Sequence, residues 1–223
     1  MMLLADGRLP TGAHTQSAGL EPALRGGMPP GDVPRYIRAR LRTVTAVEAG
    51  AAVLARARTL AAADDPGRGL ARGLTEVDAA WRARTVSPEL RETSVLLGRG
   101  YARLVRRLWP ASAAAQALSL MDRPGRGVVL GVAAAVAWLS AAQLVRLIGY
   151  DDAQTVAAAT LKLEPLDPVV ATGWVMAAAG EIELMVDDLA GIDTLEQIPS
   201  CGAPLIEQWA QKHATTSQRL FRA

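Results

Sequence analysis

"SPELRETSVLLGRGYARLVRRLW", residues 87–109, carries a helical period from end to end. Leu90, Ser94, Leu97, Tyr101, Leu104 and Leu108 recur at alternating spacings of four and three, while Arg91, Arg99, Arg103 and Arg106 fall on other faces. Ser87, Pro88 and Glu89 supply an N-cap, a proline at the first helical position and an early acid, so the segment reads as a helix with a defined start.

The same reading extends outward. From Asp32 to about Ala63, Ile37, Leu41, Val44, Ala51 and Leu54 share a stripe and Arg35, Arg38 and Arg42 lie on another, which predicts one unusually long helix. Pro and Gly clusters at 26–32, 64–69, 123–127, 165–168 and 198–204 read as boundaries. Further helices are expected over about 70–85, 128–148, 152–164, 168–190 and 204–214 by the same boundary rules. No segment alternates with a strand period. The chain has 223 residues, 50% hydrophobic, and is rich in alanine and leucine with only 4% aromatics. That composition suits an all-α, single-domain helical bundle of about seven to nine helices.

Charge and cysteine content exclude several classes. Lys+Arg 24 against Asp+Glu 22 gives a net charge of +2, too little to argue for nucleic acid as a partner. The single cysteine, Cys201, rules out an internal disulfide framework, and "MMLLADGRLP" lacks the basic and apolar regions of a signal peptide, making the cytoplasm the expected location. The apolar part of "GVVLGVAAAVAWLSAAQLVRLIG" (127–149), Val128 to Leu139, is shorter than the roughly 18 residues of a spanning helix, so it reads as a buried core helix and no membrane partner is expected.

Catalytic and metal constellations are thin. "TQSAG" lacks the first glycine and preceding strand of a nucleophile elbow, and His14 with Ser17 has no orienting carboxylate. His14, His213 and Cys201 are the only nitrogen or sulfur metal ligands, without zinc spacing, and no P-loop is present, so no metal site or cofactor is expected. The pairs Asp151/Asp152 and Asp187/Asp188 suggest, as an alternative, a magnesium-dependent helical enzyme acting on a diphosphate substrate. They lack a third aspartate at the needed spacing, and the first pair reads equally as the acidic start of a helix. A helical DNA-binding regulator is a third class, opposed by the weak net charge and the absence of a recognisable helix-turn-helix. The basic run "RGYARLVRRLW" reads as a solvated or protein-docking face.

Four ordered strings carry more specific information. "LADGRLPTGAHTQSAGLEPAL" presents Asp6, Leu9, Pro10, Gly12, Ser17, Gly19, Leu20 and Glu21; "LRETSVLLGRGYARL" presents Arg91, Ser94 and Gly98; "AATLKLEPLDP" presents Lys162, Leu163, Pro165 and Leu166; "HATTSQRLFRA" presents His213, Arg219, Leu220 and Phe221. Together they resemble the UreF family of urease accessory proteins. His14, Gln16 and Asp167-Pro168 depart from the family's pattern, although Asp167-Pro168 independently forms a good N-cap and first turn.

The resemblance implies an all-α homodimer without catalysis of its own. It would act as a nickel metallochaperone scaffold bridging UreD/UreH and the GTPase UreG during nickel insertion into apo-urease. Partner contacts are then expected at His14, Gln16, Ser17, Glu21, Arg91, Lys162, His213, Arg219, Leu220, Phe221 and Arg222. Structural roles are expected for Pro10, Gly12, Gly19, Leu20, Ser94, Gly98, Pro165 and Leu166. The domain is expected to span 1–223, with a tail over 215–223 that stays flexible until partner-bound and pairs a basic polar run with the anchors Leu220 and Phe221.

Overall fold

The computed structural model describes residues 2–6, 9–62, 67–214 and 220–221, and its order is α1 (Leu20–Arg25), α2 (Val33–Arg40), α3 (Ala46–Ala61), α4 (Arg68–Arg84), α5 (Pro88–Leu108), α6 (Ala113–Ala117), α7 (Arg126–Val136), α8 (Ala141–Leu163), α9 (Pro168–Ala177), α10 (Ala179–Leu189) and α11 (Pro204–Ala214). Since α2 continues through a π-helical turn at Leu41–Thr45 into α3, and α9 into α10, these form nine runs within the expected seven to nine. The fold is all-α.

Local signals hold where they were strongest. Ser87 Oγ accepts the Leu90 N–H at the start of α5, and Asp167 does the same for Val169 before Pro168 opens α9. Helix α7 is the hub of the core, with every residue from Arg126 to Ala135 buried, as expected for a core helix and not a membrane span. It packs backbone to backbone against α3, because a Cβ at Gly131 would overlap the Ala52 carbonyl oxygen.

One boundary moves. The expected helices 128–148 and 152–164 are instead divided at 137–140, and α8 runs unbroken through Gly149, Asp151 and Asp152. Trp138, left-handed at φ 56°, ends α7, and a capping box between Ser140 and Gln143 starts α8. Gly149 therefore marks no stop; it seats Ile182 of α10, whose Cγ1 would lie 2.9 Å from an added Cβ. Nor do Asp151 and Asp152 open a helix, as the sequence suggested: they sit mid-helix and face arginines.

The run Pro168–Leu189 is long and apolar enough to cross a membrane by length and composition, with 33% of its most apolar window buried. Two of its four acidic residues are tied back to the bundle: Glu181 pairs with Arg42 and Glu183 with Arg146. Val169 and Met176, each 74% exposed, and Leu184, 55% exposed, face outward.

Candidate functional site

The segment before α1 is built by backbone conformations that its sequence permits. Gly12 takes φ 89°, a 3-10 turn follows at Ala13–Thr15, and Ala18 and Gly19 (φ 51° and 75°) reverse the chain into α1. The Ala18 carbonyl accepts the Tyr36 hydroxyl at 2.7 Å and Arg40 Nη1 at 2.8 Å, fastening this turn to α2. Pro10 is exposed and Leu20 wholly buried, while Ser17 Oγ, also wholly buried, accepts the Glu21 N–H at 3.3 Å.

Glu21 is the centre of a cluster that joins both ends of the chain. Its side chain is fully buried, its Oε1 accepts the Leu220 N–H at 2.8 Å, and its Oε2 accepts the Phe221 N–H at 2.9 Å. Arg25 approaches Oε1 at 2.9 Å. His213, buried near the end of α11, places Nε2 3.2 Å from the Phe221 carbonyl oxygen and 4.0 Å from Glu21 Oε2. Lys162 Nζ stands 5.2 Å from the centre of the buried Phe221 ring and donates to the His14 carbonyl at 3.4 Å. A buried carboxylate needs donors, and here two backbone amides of the tail supply them.

Three of the four sequence strings thus meet: His14 and Glu21 from the first, Lys162 from the third, His213, Leu220 and Phe221 from the last. His14, Lys162 and Leu220 are exposed around the cluster, whereas Glu21, His213 and Phe221 are buried within it; after α8, Pro165 is exposed and Leu166 partly buried. Arg219 and Arg222, and the tail expectation for 215–219 and 222–223, lie outside the described residues.

The second string stabilises the bundle beside this cluster. Arg91 Nη1 donates to the carbonyls of Thr85 and Val86, stitching the turn between α4 and α5. Ser94 Oγ accepts the Arg126 N–H at 2.9 Å and donates to Glu48 at 3.1 Å. Gly98 lets the Pro124 carbonyl lie against α5, where a Cβ would overlap it.

Beneath the cluster lies a network that sequence reasoning missed. Arg40 binds Asp152 through Nε at 3.0 Å and Nη2 at 2.6 Å, and Arg126 bridges Glu48 and Asp151, the latter at 2.8 Å. Burial raises the Asp151 pKa despite Arg126 beside it; burial works the same way on Asp152, but the charge and hydrogen bonds of Arg40, with Arg126 and Thr45, together outweigh it and hold Asp152 below the usual carboxylate range. Burial likewise pushes the Tyr36 phenol up to about 12, opposed in part by Arg40. The signal was a charged residue at a core-facing register, since Arg40 lies three residues after Ile37 and Glu48 four after Val44.

Between cluster and network a mostly apolar cavity is lined by Gln16, Val44, Trp81, Leu90, Leu97 and His213, among others. Gln16 is 7% exposed, and its Oε1 has no hydrogen-bond partner among the described residues. No three His, Cys, Asp or Glu side chains among the described residues are grouped to hold a metal ion. The magnesium-site alternative finds no support: Asp151 and Asp152 are committed to arginines, and Asp187 and Asp188 are exposed on α10.

The family profile described as UreF matches residues 29–179. Over 99% of its length the chain is 33% identical to the urease accessory protein UreF of Mycobacterium sp. (strain JLS), covering 96% of that protein. It is 32% identical to the protein of the same description from Mycobacterium tuberculosis (strain ATCC 25177 / H37Ra), and 31% identical to that from Mycolicibacterium vanbaalenii, with the same two coverages in each case.

Proposed function

The chain belongs to the UreF family of urease accessory proteins, and from that membership we propose that it is a scaffold, without catalysis of its own, for nickel insertion into apo-urease. In this reading it binds a UreD/UreH-like accessory protein and, through that complex, recruits a UreG-like GTPase that carries the nickel. It works in the cytoplasm as a homodimer. The observation that carries the reading is the convergence on Glu21 of residues from three motifs that are far apart in sequence, with His14, Lys162 and Leu220 exposed around it.

A scaffold needs apolar anchors with a polar rim, and this cluster has that make-up. Leu220 supplies an exposed anchor, held in place by the buried Phe221; His14, Lys162 and Arg25 supply polar and charged groups at the edge. The tail 215–223 docks on the UreD-like partner, with Arg219 and Arg222 adding charged contacts. Gln16, Ser17, Glu21 and His213 act from within by setting the shape on which the tail rests. Homodimerisation is assigned to the outward apolar residues of α9 and α10, Val169, Met176 and Leu184.

The test is co-purification. The tagged chain is co-expressed with the UreD-like and UreG-like proteins of its own source and sized with and without residues 217–223. Co-elution that is lost on truncation is the expected result. Failure of the full chain to retain either protein would overturn the scaffold reading.

A further inference from the structure

We propose a second docking surface, on the C-terminal half of α5, that takes an acidic amphipathic segment of a protein partner. Residues 93–121 contain four arginines, Arg99, Arg103, Arg106 and Arg107, and no aspartate or glutamate. All four are exposed, and among the described residues none has a carboxylate partner; Arg103 spends one donor on the Pro10 carbonyl at 3.2 Å, which neutralises no charge. Spacings of three and four bring them onto neighbouring faces of one helix, spanning about 12 Å from Arg99 to Arg107. Four uncompensated like charges at that density repel one another.

The helix dipole accounts for Arg106 and Arg107 in the last turn but not for Arg99 and Arg103, which lie further in. Arg103, Arg106 and Arg107 instead share a shallow depression with Pro10, Gly100 and Leu104. Its position is set by a close approach: a Cβ at Gly100 would meet the Thr11 backbone, so the N-terminal turn lies directly against α5 and forms one wall. Leu104, partly buried, lies between Arg103 and Arg106, and Leu96 and Leu108, 42% and 45% exposed, flank the run of arginines at its two ends.

That mixture selects the class of partner. A phosphate backbone uses the cations alone and leaves exposed leucines idle. A helix with carboxylates at i, i+4 and i+7 and leucines between them uses both, and guanidinium groups hold carboxylates through paired N–H donors. The surface is built from α5 and the Pro10 turn and includes neither Glu21 nor the tail.

The experiment uses the full chain and a fluorescein-labelled peptide with glutamates at i, i+4 and i+7 and leucines between, read by anisotropy against a scrambled peptide of equal composition. The designed peptide binds better than the scrambled one, more weakly as salt rises, and roughly tenfold or more weakly to Arg103→Glu/Arg107→Glu. Both side chains are exposed, so the helical circular dichroism and Tm of the variant stay those of the parent. Deleting 217–223 leaves peptide binding unchanged, which separates this surface from the tail. Equal binding by the charge-reversed variant, equal binding of the scrambled peptide, or arginine-dependent binding of duplex DNA tighter than that of the peptide would each overturn the proposal.

Discussion

Replacing Glu21 by glutamine removes the charge on which the tail rests while preserving its volume. The carboxylate accepts two backbone N–H groups, from Leu220 at 2.8 Å and Phe221 at 2.9 Å, in a site with no exposure of its own. A hydrogen bond to a buried charged group contributes about 1.5–3 kcal/mol. Glutamine keeps one acceptor and turns an NH2 group toward the other amide, so one of the two bonds is lost. With about 1.4 kcal/mol per factor of ten, the closed tail loses roughly ten- to a hundredfold in its local equilibrium. Hydrogen exchange at the Leu220 and Phe221 amides reads this directly, because exchange there follows local opening more than global unfolding. Glu21→Ala, which removes both acceptors, lowers protection further, and amides of the buried helix α7 serve as the internal reference. Unchanged protection of both tail amides in Glu21→Gln and Glu21→Ala would refute the view that this carboxylate holds the chain end.

Three other predictions concern the interior. Asp152→Ala strands Arg40 and costs about 3–5 kcal/mol by urea denaturation, whereas Arg40→Met/Asp152→Leu recovers most of that loss; equal losses in both would argue that the pair contributes nothing through its charge. The same pair sets a pH dependence. The folded pKa of Asp152 is depressed, so its stabilisation is present above the unfolded value near pH ~4 and is lost as pH falls through the folded one. Asp151 is raised and acts in the opposite sense, gaining as acid is added, so Asp152→Asn flattens the acid limb of the stability curve and Asp151→Asn steepens it. Gly131→Ala pushes a methyl group into the Ala52 carbonyl and lowers stability by about 1–3 kcal/mol, seen as a reduced Tm; a neutral result would mean that α3 and α7 slide apart easily.

The elements that were legible in the sequence share a property: their determinants are local. Ser87-Pro88 and Asp167-Pro168 start helices wherever the chain goes, because the cap and the proline act within one turn. The break between α7 and α8 was also local in origin, a capping box at Ser140 and Gln143, yet it was hidden in an apolar run where alanine continues a helix as readily as it ends one. Gly149 and the following aspartates imitated a boundary because glycine and acids at helix ends look the same as glycine and acids at a packing contact. The candidate site was legible as a set of separate motifs; that Glu21, Lys162 and Phe221 touch was not, since they are separated by most of the chain.

By itself the sequence determined the helical class, the caps at Ser87 and Asp167 and the family, all of which follow from spacings of a few residues and from ordered strings. Only the tertiary structure decided which charges are buried and with whom. Arg40 meets Asp152 across 112 residues and Glu21 meets Phe221 across 200, and neither pairing leaves a periodic trace in sequence. A buried charge must find its counter-ion or donor wherever the fold brings one, so its partner is a property of packing and not of neighbourhood along the chain.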